Sequence, residues 1–320
     1  MTHRPHHAFR ELLKAGLVLL ALTLATRAWT FGNPVIGLDE QFYLTIGDRL
    51  LRGDLLYVDI WDRKPVGLFL IYSFACWAFA EPVLGYQILA VIAIVATSCV
   101  LFAIARRLTS FIPALAGAAA YPAWLTVFSG MGGQAAIFYN LPMAAAAAMV
   151  VAVVARADDH GLTRRGCAIM LLTGLAIQIK YTVIFEGIYF GLTLLIAGWM
   201  RGRSLVRLGS DATAWIACAL APTLAVCGVY FTIGHGAEFV DANFVSIFGD
   251  KDPSPMTALG RLAGLTIGIS PFLICAWIAA RRWRSGDASG WPQARWIIGW
   301  AAAAFAGFLV YGVWFDFYVL

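Results

Sequence analysis

The sequence predicts an all-α polytopic membrane protein, and three observations carry that prediction. Of 320 residues, 61% are hydrophobic and 13% charged, whereas a soluble domain carries about 25% charged residues. Apolar stretches of spanning length recur along the chain. Threaded through a bilayer, they sort the basic residues to one side.

The first stretch, residues 12–30, follows a basic N-terminus and lacks a cleavage site of the A-x-A kind. It reads as an uncleaved first span. Residues 31–83 form a long loop. Within it, Phe42, Tyr43, Ile46, Leu50 and Leu51 recur at helical spacing over 39–52, which predicts an amphipathic helix lying on the membrane. Gly53-Asp54 ends it, and Tyr57 and Trp61 read as interfacial anchors. Residues 66–80 are apolar but short. Spans follow at 84–105, 109–128 and 139–155. Residues 166–200 are too long for one span and are broken by Lys180 and Glu186. Further spans fall at 211–232, 257–280 and 296–314, the first two joined by an amphipathic segment over 233–256.

The positive-inside rule decides the ambiguous regions. With 66–80 on the surface and 166–200 a hairpin of two short spans, fifteen of the 23 basic residues share the cytoplasmic side. That gives about nine spans, the N-terminus inside and the C-terminus outside. Thirteen of the 18 acidic residues then lie on the other face, six of them between 37 and 65. Acidic residues contribute little to orientation, so their gathering there points to function. The net charge of +5 follows from topology and does not call for nucleic acid. The six cysteines lie in apolar segments without metal-ligand spacing and read as packing residues. Residues 315–320, Phe-Asp-Phe-Tyr-Val-Leu, read as the start of another apolar segment, so a C-terminal truncation is expected.

Chemistry is expected where charge concentrates. Residues 37–65 hold ten charged side chains between apolar segments. Adjacent carboxylates such as Asp39 and Glu40 can separate their pKa values and leave one as a base, or they can simply cap a helix. Lys64 can snorkel or clamp a phosphate. Lys180 and Glu186 lie in or beside short spans, where ionisable groups face a partner or a polar cavity; an ion pair between them is the bland reading. Gly260, Gly264 and Gly268 form a small-xxx-small series expected to pack helices closely. The segment 233–256 can cover the site.

Taken together, Asp39-Glu40-x-x-Tyr43, Gly53-x-x-x-Tyr57-x-Asp59 and Asp62-x-Lys64-Pro65 resemble the GT-C glycosyltransferases of the protein mannosyltransferase and lipid A aminoarabinose transferase type. The likeness is strongest over 38–72 and extends weakly to Gly174-Leu175-Ala176 with Lys180 and to the final six residues. It implies one GT-C-like transmembrane domain over 1–320, with 31–83 as its external catalytic loop.

It also implies a sugar moved from a polyprenyl-phosphate donor to a glycan, lipid or protein acceptor, with inversion. By position, Asp39 would be the catalytic carboxylate with Glu40 beside it, and Lys64, helped by Arg63, would contact the donor phosphate. Tyr43, Tyr57, Asp59, Asp62 and Lys180 would support them. No cofactor is certain, and no ligand spacing supports a divalent metal. Many relatives carry an acid in the second external loop; residues 108–155 here contain no Asp or Glu, and Gln134, Tyr139 and Asn140 are the polar candidates. Relatives are also usually longer. The alternatives are a lipid-linked sugar transporter or flippase, which would more often show internal repeats, and a non-catalytic relative. Abundant Ala and Arg without organelle signals point to a bacterial inner membrane, with the site on its periplasmic side.

Overall fold

The computed structural model describes residues 5–156, 158–246, 254–284 and 292–310. Arg4, Ile247, Phe248, Asp250, Lys251, Asp252, Asp287 and residues 311–320 lie outside them, so the expectations resting on these are not addressed. Among the described residues the chain is all-helical, with twelve α-helices and no strand. In order they are α1 (Pro5–Arg27), α2 (Leu38–Leu51), α3 (Val66–Ala78), α4 (Pro82–Ala105), α5 (Phe111–Leu125) and α6 (Ala135–Val154). Then come α7 (Leu162–Ile177), α8 (Ile184–Met200), α9 (Leu205–Thr232), α10 (Gly236–Val240), α11 (Pro255–Arg284) and α12 (Pro292–Val310).

Five segments are long and apolar enough to cross a membrane: those of α4, α6, α8 with the turn before it, α9, and α11 up to Ala279. The chain is therefore a helical membrane protein by composition and length. Helix α1 differs because Arg10, Glu11 and Lys14 occupy its first turns. The expected interruption of 166–200 appears as a break between α7 and α8, which contains Lys180 and a 3-10 turn Tyr181–Val183, whereas Glu186 lies inside the first turn of α8 and does not break it.

The expected surface helix 39–52 is α2, and it ends as Gly53 turns the chain with φ 100°. Gly37, not Asp39, caps it; Asp39 and Glu40 sit in its first turn. Helix α3 packs on α2 at Gly47, where a Cβ would meet the Ser73 backbone nitrogen at 2.7 Å, and Ser73 Oγ donates to the Gly47 carbonyl. Helix α3 packs in turn on α4, where Tyr72 meets Tyr86, so this crossing ties α2 to the bundle.

The helices have two distinguishable ends. At one end, Arg106 after α4 binds Glu11 of α1 through two nitrogens, at 2.9 and 3.1 Å. There too, Arg203 holds Asp159 at 2.7 Å and also Asp211 of α9, to which Thr163 of α7 donates at 2.7 Å. The opposite end carries α2, α3, the α5–α6 loop, the α7–α8 break and α10. The glycine series of α11 is corrected in part. Gly268 packs on Phe128 and its carbonyl accepts from Trp124 Nε1, but Gly260 and Gly264 face open space. These two point away from the described helices, so no close crossing uses them.

Candidate active site

Asp39 lies half-buried on α2, and one turn on, the Tyr43 hydroxyl donates to its Oδ2 at 2.9 Å. Burial first, and then the Asp39 charge, push the Tyr43 phenol well above its usual value, so it remains a donor. The opposite side of the same tyrosine meets Lys64, whose ammonium stands 4.9 Å from the ring centroid. Asp62 completes the group. Its carboxylate accepts from the Lys64 backbone N–H at 2.8 Å and lies 3.6 Å from the Lys64 ammonium. One tyrosine thus touches both a carboxylate and an ammonium.

Glu40 occupies a different environment. It is 1% exposed, and Gln134 Nε2 donates to its Oε2 at 3.2 Å. The α5–α6 loop wraps it so closely that a Cβ at Gly132 would lie 2.3 Å from Glu40 Oε1. Arg27, at the end of α1 and itself buried, holds this loop through the carbonyls of Gly130, Met131 and Gly132. Burial, and secondarily the Asp39 charge, raise the Glu40 carboxyl to about 7, against the pull of Gln134 and Arg27. The two adjacent carboxyls are therefore divided in role: Asp39 is partly open, while Glu40 is sealed against a loop.

Lys180 reaches the same region from the α7–α8 break, outside both helices. The Lys64 ammonium and the Asp39 carboxylate both act on it electrostatically. Burial first, then Lys64, pull it down to about 7, with Asp39 opposing. Its residual exposure is to a cavity of about 830 Å³ between α6, α8, α11 and α12. Tyr139, Asn140, Thr182 and Glu186 join Lys180 on the cavity wall; the rest of the lining is apolar, including Phe272, Ile297 and Phe305. Asn140 Nδ2 donates to Tyr121 at 3.1 Å. Glu186 accepts from the Trp300 indole at 2.6 Å, a partner on α12 that the spacing of Lys180 and Glu186 did not reveal.

The other expected residues sort by environment. Tyr57 is no interfacial anchor: it is buried, packs on Tyr230 and Phe239, and donates to the Lys64 carbonyl at 2.9 Å. Its φ of 72° is left-handed, a conformation that costs a bulky residue about 1–3 kcal/mol and so requires the surroundings to enforce it. Trp61 is exposed, as an anchor would be. Asp59 faces outward and accepts from the Leu55 N–H at 2.8 Å, shaping its own turn. Arg63 is half-buried on the same loop.

Sequence reasoning overlooked the loop-holding role of Arg27; an arginine at the end of a span, followed later by Gly-Met-Gly-Gly, was the available signal. Among the described residues, no three His, Cys, Asp or Glu side chains gather as a metal site. The chain matches no protein-family model, no curated protein and no solved structure.

Proposed function

We propose that this protein is an inverting glycosyltransferase of the GT-C kind, which moves a sugar from a polyprenyl-phosphate donor to a glycan, lipid or protein acceptor. The observation that carries the reading is the double position of Lys180. It lines a long apolar cavity and also lies within the fields of Lys64 and Asp39. An anionic head on a hydrocarbon tail fits that arrangement: the phosphate between two ammoniums, the tail along α11 and α12. Nine spans, adding α1, α5, α7 and α12 to the five long ones, would put the site on the outer face of a bacterial inner membrane.

In this reading Asp39 accepts the proton of the acceptor hydroxyl as that oxygen attacks the anomeric carbon. The C–O bond to the phosphate breaks on the opposite face of the sugar, and its electron pair leaves with the polyprenyl phosphate. A phosphate leaves without a general acid, while Lys64 and Lys180 balance its charge. Tyr43 donates to Asp39 and sets its ring against Lys64, while Asp62 holds Lys64 in place. Glu40, sealed by the α5–α6 loop, does not touch the sugar. Purified protein in lipid nanodiscs, given radiolabelled glycosyl polyprenyl phosphates and membrane acceptors, should transfer label, and Asp39→Ala should not. Transfer by Asp39→Ala at the native rate removes Asp39 from the mechanism. Label that crosses vesicles without a new glycosidic bond makes the protein a flippase.

A further inference from the structure

The segment after α9 joins the two places from which the lysines arise. Gly234, with φ 85°, turns the chain into α10, and residues Asp241–Val245 continue as a π-helix. Asn243 in that π-helix is fully buried. Its Nδ2 donates to the Phe239 carbonyl at 2.9 Å, and its Oδ1 accepts from the Tyr181 hydroxyl at 2.5 Å. The ring of Phe239, whose carbonyl takes that amide hydrogen bond, packs edge-on against Tyr57 at 5.8 Å.

Each tyrosine is tied to a lysine. Tyr57 donates to the backbone carbonyl of Lys64, and Tyr181 directly follows Lys180. Around this link, Phe239 stacks on Tyr230 at 5.3 Å, Tyr230 donates to the Leu56 carbonyl, and Phe244 packs on Tyr181. Aromatic packing fixes the surroundings, so the buried amide has little freedom to seek other partners. π-turns within helices occur frequently at functional sites, because the extra residue redirects one side chain.

We infer that Asn243 is a positioning residue: by tying Phe239, which packs on Tyr57, to Tyr181 it fixes the spacing between Lys64 and Lys180, and so the size of the anion they accept together. The use of that spacing for a polyprenyl phosphate rests on the function proposed above; the bridge itself does not. Segment 236–245 then acts as a strap on the site's framework rather than as a cover over it.

Two measurements separate these layers. Spin labels at positions 64 and 180, in cysteine variants on a background without other cysteines, report the spread of their separation in nanodiscs without ligand. Adding Asn243→Leu should broaden a narrow distribution, and Tyr181→Phe, which keeps the ring on Phe244, should broaden it less. An unchanged distribution in both overturns the inference. In the protein with both lysines intact, binding of synthetic polyprenyl monophosphate should weaken about tenfold in Asn243→Leu, in line with one lost buried hydrogen-bond system. Broadened spacing with full affinity overturns the gauge role. Broadened spacing in a protein whose parent binds no polyprenyl phosphate keeps the bridge and removes the glycosyltransferase reading.

Discussion

The two ends of the bundle use charge differently. At the end of Glu11, Arg106, Asp159, Arg203 and Asp211, carboxylates meet guanidinium groups directly, from one helix to the next. Arg203 is 7% and Asp211 1% exposed, so this is a buried ionic joint. At the α2–α3 end direct pairs occur too, Asp62 with Lys64 at 3.6 Å and Asp48 with Arg52 at 2.7 Å, but the carboxyls of Asp39 and Glu40 meet a tyrosine and an amide. Tyr43 touches both Asp39 and Lys64, Gln134 faces Glu40, and Arg27 is used on the carbonyls of a loop. Direct pairing satisfies charge and fixes helices, while spacing by neutral donors leaves charge available to a substrate. That difference supports the proposed placing of the chemistry at the second end.

Breaking each end should therefore produce a different kind of loss. Asp39→Asn should lower sugar transfer about 10²–10⁴-fold, the range for a lost general base, with an unchanged melting temperature in detergent. A parallel fall in thermal stability would instead mark Asp39 as structural. Asp211→Ala should do the reverse. It leaves Arg203 with Asp159 alone and the Thr163 hydroxyl without its acceptor, and should cost about 1–3 kcal/mol of stability, seen as a lower thermal midpoint, with transfer per folded molecule retained. Near-normal stability would show that solvent already shares the joint.

Glu40 sharpens the comparison through pH. Its carboxyl is raised from 4.5 to about 7, so burial favours the protonated form. The stability it contributes is fully present below about 4.5 and is lost as pH rises through about 7. Glu40→Gln should remove that decline and add up to about 3 kcal/mol at alkaline pH. Thermal midpoints measured from pH 5 to 9 test it, and a variant with the same slope as the parent excludes Glu40 as its source. The smallest effect is expected from Tyr43→Phe. It removes one hydrogen bond to Asp39 while leaving the ring beneath Lys64, and should slow transfer by about tenfold or less. A loss as large as that of Asp39→Asn would give Tyr43 a role in the proton transfer itself.

Much of this was legible in the chain, for reasons specific to each region. The helix of 39–52 followed from apolar spacing plus Gly53, both local properties. The break at Lys180 followed from charge inside an apolar run that was too long for one helix. Tyr57 was misread as an anchor because an aromatic in a charged loop looks interfacial, whereas here Tyr230 and Phe239 arrive from far along the chain to bury it. The glycines of α11 were over-read because equal spacing on a helix does not establish that another helix lies against it.

The sequence by itself determined the class, an apolar helical chain with its acids concentrated before Pro65, because hydropathy and charge are additive properties of short segments. It also nominated Asp39, Lys64 and Lys180. Tertiary structure decided that Asp39 and Glu40 differ, because burial against Gly132 and Gln134 is imposed by a loop more than ninety residues away. It also brought Lys180 into the fields of Lys64 and Asp39, and opened a cavity beside it. Desolvation and Coulomb forces depend on what surrounds a group in space, and composition and periodicity do not carry that information.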